Sequence, residues 1–171
     1  MFKSKIEGRA WKYGDKISSD QIFPSRYVPV VATQIEKAGQ YAFADEDPDF
    51  VKNVAPGDIV VAGKSFSCGS SREYSPWAIK GAGAGAVIAQ SFSRIFFRNA
   101  INIGLPVLIS PDTERIRKGD RIEVDFEKAQ ITNKTTGDVL KATPLPQNVL
   151  EILREGGLVP YTKKILQKSK G

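Results

Sequence analysis

Between Asp58 and Ile109 three short apolar runs, Asp58-Ile-Val-Val-Ala62, Ala86-Val-Ile-Ala89 and Leu105-Pro-Val-Leu-Ile109, alternate with two stretches of helical character. Runs this short, bounded by turn residues, suit strands that are covered on both faces. Strand, helix, strand, helix, strand in that order predicts βαβ units around a parallel core sheet, and so the α/β class. Beyond residue 110 the pattern changes. Lys118-Gly-Asp120 and Thr135-Thr-Gly-Asp138 are turns, and Arg121-Ile-Glu-Val-Asp-Phe126 alternates as a half-exposed strand does. These features predict additional antiparallel strands, a meander packed against the parallel unit.

The remaining elements follow from local signals. Phe2 to Lys12 is strand-like, Thr33 to Phe43 has the composition of a short helix ending near Gly39, and Phe50 to Val54 suits a helical turn. Ser91-Phe-Ser93 opens a helix through Asn99, with Ile95, Phe96 and Ala100 on its apolar face. Arg94 and Arg98, four apart, share another face and suit a carboxylate, a partner subunit or a structural ion pair. Gly81-Ala-Gly-Ala-Gly85 follows a helix and precedes a strand, the reverse of a dinucleotide fingerprint, and reads as a helix end with a tight return to the sheet. Pro24-Ser-Arg-Tyr-Val-Pro-Val30 is rich in proline and suits helix poorly. Two further helices are expected at Pro146 to Arg154 and from Val159-Pro160 onward.

With 171 residues the chain suits a single domain spanning 1–171, with a flexible tail from about 167 to 171. No apolar run approaches the roughly 20 residues that span a bilayer, and Met1-Phe-Lys-Ser-Lys-Ile-Glu7 lacks the apolar core of a signal peptide. A cytoplasmic protein without membrane contact is the expectation. The net charge of +6 owes part of its excess to Lys163, Lys164, Lys168 and Lys170 in the tail. No aromatic-interleaved basic motif accompanies it, so nucleic acid is disfavoured as a partner, while a positive surface would steer a small acid.

Cys68 is the only cysteine and there is no histidine. An intramolecular disulfide is excluded, and so is a Cys/His metal site on this chain. An iron–sulfur cluster needs about three or four thiolates, so any such cofactor must sit on a partner. Cys68 itself is expected to be a small buried apolar residue.

The stretch with the most chemistry is Gly63-Lys-Ser-Phe-Ser-Cys-Gly-Ser-Ser-Arg-Glu-Tyr-Ser-Pro-Trp77, between a strand and a helix. A glycine lets the backbone turn and approach a ligand, and free amides at a helix start carry partial positive charge. Two hydroxyls and a guanidinium, Ser70, Ser71 and Arg72, would hold a carboxylate there. The same residues also read as plain helix initiation. Ser70 and Glu73 have capping-box spacing, and Ser75-Pro76 is a cap followed by proline at the first helical position.

Three blocks, Gly8-Arg-Ala-Trp-Lys-Tyr-Gly-Asp-Lys-Ile-Ser-Ser-Asp-Gln-Ile-Phe-Pro24, Cys68-Gly-Ser-Ser-Arg-Glu-Tyr-Ser-Pro-Trp77 and Ala86 to Pro106, together resemble the small subunits of 3-isopropylmalate dehydratase and homoaconitase. These form the aconitase swivel-domain family. The resemblance implies a swivel-like β/β/α fold and a hydro-lyase that moves a hydroxyl between adjacent carbons, in leucine synthesis for the isopropylmalate enzymes. It implies Ser70 as the catalytic base, and Ser71 and Arg72 as ligands of a substrate carboxylate. It also implies a [4Fe-4S] cluster on a large subunit, paired with this chain as a heterodimer or heterotetramer, and none on this chain. The isolated chain is a candidate homo-oligomer.

Two further places come from the resemblance. Asp20, in the Ser19-Asp20 pair, is placed near the active site, where it would otherwise read as an aspartate bonding backbone in a turn. The family discriminates substrates at a tetrad matching Tyr27-Val28-Pro29-Val30, reading Tyr-Leu-Val-Met for isopropylmalate and Tyr-Leu-Arg-Thr for homoaconitate. An apolar third residue, Pro29, favours an alkyl substituent over a third carboxylate, with Arg26 just outside the register as the alternative carboxylate ligand. The acid is thus a di- or tricarboxylate, with isopropylmalate ahead of homocitrate or a methyl-substituted malate. A non-catalytic regulatory or RNA-binding swivel protein is the alternative of another class. The chain departs from the family at Ser65-Phe66-Ser67-Cys68, where Asn-Phe-Gly-Cys is usual, and at Tyr74, where histidine is frequent.

Overall fold

The computed structural model describes residues 2–69 and 73–171. The chain enters through β1 (Lys5–Lys12) and passes through short helices: α1 (Ser19–Ile22), a 3-10 turn (Ser25–Tyr27), α2 (Val28–Val31), a 3-10 helix (Ile35–Tyr41) and α3 (Asp49–Asn53). β2 (Ile59–Ala62), α4 (Tyr74–Gly81), β3 (Ala86–Ala89), α5 (Arg94–Asn102) and β4 (Val107–Ile109) then alternate as the apolar runs predict. Strands β5 (Arg121–Asp125), β6 (Gln130–Asn133) and β7 (Val139–Lys141) follow, and helices α6 (Gln147–Arg154) and α7 (Leu158–Ser169) close the chain.

All of these strands lie in one seven-stranded sheet of order β4-β3-β2-β1-β5-β6-β7. β1 to β4 are parallel and β5 to β7 antiparallel. The meander is therefore an extension of the sheet and not a layer packed against it. β1 accounts for this. Ala10–Lys12 pair with β2 on one edge, while Lys5–Arg9 pair with β5 on the other. A row of N–H and C=O groups left bare on that second edge would invite foreign strands, and β5 covers it. β2 and β3 are buried at every position, as expected of parallel strands covered on both faces, whereas β5 buries Ile122 and Val124 and exposes Arg121.

A buried carboxylate fastens the start of β2 to β1. Asp58, only 3% exposed, accepts from the Ala55 amide at 2.9 Å, the Trp11 indole Nε1 at 3.0 Å and the Arg9 amide at 3.1 Å, and pairs with the Arg9 guanidinium at 3.2 Å. Trp11 in turn packs edge-on against Phe50, which packs against Phe43, itself stacked on Tyr13. This cluster joins β1 to the helical run that follows it.

Three local expectations change. Val28–Val31 is helical despite Pro29, because the first-turn N–H groups of a helix have no intrahelical acceptor to lose. α4 begins at Tyr74 with Glu73 in the cap position and no side-chain cap bond, so Ser75 and Pro76 lie inside its first turn. In α5 the buried residues are Phe96, Ala100 and Ile101, and Ile95 is exposed. Ser93 caps α5 as expected, accepting from the Phe96 amide at 3.2 Å.

One glycine contact fixes where α4 sits. A Cβ on Gly39 would lie 2.2 Å from the Gly81 carbonyl carbon, so the 3-10 helix and α4 touch backbone to backbone. Gly39→Ala is expected to cost about 1–3 kcal/mol through forced separation. A lower urea midpoint at unchanged denaturant slope checks this.

Candidate active site

The four parallel strands end on one side of the sheet, where open α/β sheets place their ligands, and the loops leaving β1, β2 and β3 meet there. The loop after β1 reaches α1, which Ser18 and Gln21 start with a reciprocal capping box: the Gln21 amide donates to Ser18 Oγ at 3.1 Å and the Ser18 amide to Gln21 Oε1 at 2.7 Å. The loop after β2 carries residues 63–69 beside it. Its Ser67 amide donates to the Ile17 carbonyl at 2.7 Å, and its Cys68 carbonyl accepts from the Ser19 amide at 3.0 Å. Cys68 is half-buried, not fully buried as expected, because this pairing with Ser18 leaves it at the rim.

Three buried serines lock these loops to α4. Ser67 and Ser19 hydroxyls lie 2.8 Å apart, and the Ser75 hydroxyl donates to the Ser19 carbonyl at 3.3 Å. The turn they hold is tightly wound, with φ of +57° at Ser65, +60° at Ser67 and +110° at Gly69. Serine at positive φ costs on the order of 1–2 kcal/mol each. The hydrogen bonds compensate: the Ser65 amide donates to Ser91 Oγ at 2.8 Å, and Ser67 is tied to Ser19. These are the two positions where the resembling family usually has asparagine and glycine, residues at home in that conformation. Ser70, Ser71 and Arg72, to which the resemblance gave catalysis and carboxylate binding, lie outside the described residues. Their flanks are fixed by the serine lock on one side and by α4 on the other.

Next to this turn is a cleft of about 260 Å³ whose lining is of two kinds. Ser19, Asp20, Ser25 and Ser75 form the polar one, and Phe23, Val28 and Tyr74 the apolar one. Asp20 lines this cleft. It also makes the turn bond that its sequence context suggested, accepting the Ser25 amide at 2.8 Å. One carboxylate thus both faces the cleft and pins the start of the 25–31 segment.

The tetrad Tyr27 to Val30, to which the resemblance gave substrate discrimination, is only partly on the cleft. Val28 lines it, whereas Pro29 and Val30 are exposed, Val30 at 62%. Tyr27 stands behind it, stacked on Tyr41 at 4.2 Å and tilted against Phe23 at 6.4 Å. Arg26 is not free to meet a ligand carboxylate. Its guanidinium forms a two-pronged pair with Asp45, lies over the Tyr27 ring at 4.5 Å and donates to the Tyr27 hydroxyl at 3.1 Å. The Asp45 carboxylate, then the Tyr27 hydroxyl, raise its pKa further.

Sequence reasoning missed Ser19, Phe23 and Ser25 as cleft residues and read Ser75 only as a helix cap. Tyr74 carried a signal, its departure from the family pattern, without a role attached. Arg94 and Arg98 share a face of α5 beside an apolar groove with Phe92, Phe97 and Val149. Neither meets a carboxylate among the described residues, so the ion pair considered for them is not formed there. Among those residues there is also no group of three or more His, Cys, Asp or Glu placed to hold a metal ion, and no helix is long and apolar enough to cross a membrane.

Comparison with known proteins agrees with the sequence resemblance. Residues 12–112 match the aconitase C-terminal domain family. The isopropylmalate/citramalate isomerase small subunit of Methanocaldococcus jannaschii is 50% identical over 168 residues, 98% of this chain and 99% of that one. The 3-isopropylmalate dehydratase small subunit of Methanosarcina mazei is 52% identical over 163 residues, 95% of this chain and 99% of that one. The crystal structure of 3-isopropylmalate dehydratase from M. jannaschii superposes with a TM-score of 0.90 at 43% identity, covering 98% of this chain and 99% of the other. Aconitase X of Thermococcus kodakaraensis, 17% identical with a TM-score of 0.50 over 81% of this chain and 90% of its own, shares the fold.

Proposed function

The chain belongs to the aconitase C-terminal domain family, and on that premise we propose that it is the small subunit of a hydro-lyase interconverting 2-isopropylmalate and 3-isopropylmalate. The observation that carries this reading is identity of about half the residues, over nearly the whole of both chains, with subunits named for that reaction. The protein would act in the cytoplasm, in leucine synthesis, as a heterodimer or heterotetramer with a large subunit.

Dehydration next to a carboxylate requires a base close to the proton to be removed and positive charge for the electron density that develops. In this reading Ser70 takes the proton, and Ser71 and Arg72 bind the adjoining carboxylate. A serine hydroxyl is a weak base. A guanidinium two residues on in the sequence, and the amides of the helix start that follows, would favour its ionised form, which is what the role demands. Asp20 acts chiefly by holding the 25–31 segment through the Ser25 amide, since its own charge would repel a substrate carboxylate placed against it. One cysteine and no histidine do not furnish the ligands of a [4Fe-4S] cluster, so the residues of this chain do not fit that group. The large subunit would hold it, and its iron would supply the Lewis acid for the departing hydroxyl.

The engaged state of Arg26 supports an alkyl-substituted acid over homocitrate. A third carboxylate would have to compete with Asp45, which already engages both terminal guanidinium nitrogens. A methyl-substituted malate is the second reading, favoured by the small cleft and by the citramalate named for the M. jannaschii relative. The test is anaerobic reconstitution with a cluster-loaded large subunit, following the absorbance of the unsaturated intermediate from 2-isopropylmalate, citramalate and homocitrate in parallel. Turnover of 2-isopropylmalate with homocitrate inert is the expected result. Preference for homocitrate would overturn the assignment.

A further inference from the structure

We propose that Tyr74 is a specificity-determining residue of this subunit: its ring forms, with Phe23 and Val28, the wall on which the substrate's alkyl substituent packs. The inference rests on the hydro-lyase reading and extends it to the substituent that distinguishes one substrate acid from another. Tyr74 is the first residue of α4 and the second after Arg72, so it adjoins the run that would hold the carboxylate. Its ring stacks on Phe23 with centroids 5.4 Å apart and planes 13° from parallel.

Phe23 cannot retreat to make room. It is 3% exposed and also contacts Tyr27 and Tyr41, each at 6.4 Å. The Tyr74 ring therefore has a fixed backstop, and the space in front of it is set by its own size. The rest of the described lining is polar: Ser19, Asp20, Ser25 and Ser75. A hydroxy acid with carboxylates and one variable apolar substituent is sorted by such a lining. Its polar part and Asp20 reject a charged substituent there, and its aromatic part rewards an alkyl group that fills the gap without overfilling it. Among the described residues the Tyr74 hydroxyl has no protein partner, so the ring and not a buried hydrogen bond defines the wall.

The test is the ratio of kcat/KM on 2-isopropylmalate to kcat/KM on citramalate, in the complex reconstituted with the cluster-loaded large subunit. The two acids differ by two carbons at the variable position, and a carbon in an apolar pocket discriminates by about 10-fold or more. Tyr74→Phe keeps the ring and should leave the ratio within about twofold of wild type. Tyr74→Ala removes the wall and should shift the ratio toward the bulkier acid by about tenfold, with Tyr74→Leu intermediate. Should the alanine variant fail to fold, the leucine variant carries the test. A merely structural tyrosine would lower both activities together at constant ratio, and that outcome overturns the proposal. Wild-type complex that forms but turns over neither acid would instead overturn the hydro-lyase reading on which it rests.

Discussion

Ser70→Ala is expected to assemble with the large subunit as wild type does and to lose turnover by about 10²–10⁴-fold, the usual contribution of a positioned base. Assembly should survive because bonds among the described residues already hold the flanks of this run. Ser67 and Ser75 are tied to Ser19, the Cys68 carbonyl takes the Ser19 amide, and α4 is seated by the contact of Gly39 with Gly81. The loss should fall on kcat, with KM nearly unchanged, since Ser71 and Arg72 remain to bind the carboxylate. Stopped turnover with intact co-elution supports the base assignment. Near-normal turnover would remove Ser70 from that role.

The second large effect is on stability. Asp58→Ala should cost about 3 kcal/mol or more, because the indole N–H of Trp11 and the amide of Ala55 lose their acceptor where water does not reach freely. For a chain of this size that is a fall in Tm of roughly 6–12 °C. The carboxylate also gives stability a pH dependence whose sign can be worked out. Burial pushes the Asp58 pKa up, but the hydrogen bonds from Ala55, Trp11 and Arg9 pull it down by more, leaving it below its ordinary value. A depressed pKa in the folded state means that the charge stabilises the fold above the unfolded-state value of about 4. That contribution is lost as pH falls through the folded value. The stability gap between wild type and Asp58→Asn should therefore be widest near neutrality and narrow below about pH 4. Denaturant melts across pH check it, and a gap that stays constant through the acid range would contradict the account.

How much of this was legible in the sequence depends on the range over which each feature is determined. β2 and β3 were legible because complete burial writes itself into four consecutive apolar residues. The bipartite pairing of β1 was not, because the strand's own pattern does not say that its two halves serve different neighbours on opposite edges. α2 was misread because proline was judged by its interior cost at a position in the first turn. The polar half of the cleft was partly legible: Asp20 stood in a recognisable block and in turn chemistry. The apolar half was less so: Val28 stood in the tetrad that the resemblance marked, but Phe23 had no role and Tyr74 only a departure from the pattern. Phe23, Tyr27, Tyr41 and Tyr74 come together from four separate segments, and only packing joins them. Likewise Arg26 reads as a free cation until the fold brings Asp45 against it.

The central claim is that this chain completes an active site it cannot form alone. The most direct measurement titrates it, without oxygen, into a fixed amount of cluster-loaded large subunit while the unsaturated intermediate from 2-isopropylmalate is followed by absorbance. The account predicts no turnover by either chain alone and a rate that climbs to a plateau at a fixed subunit ratio. Full turnover by the large subunit without this chain, or none at any ratio in a complex that has formed with its cluster intact, would contradict it.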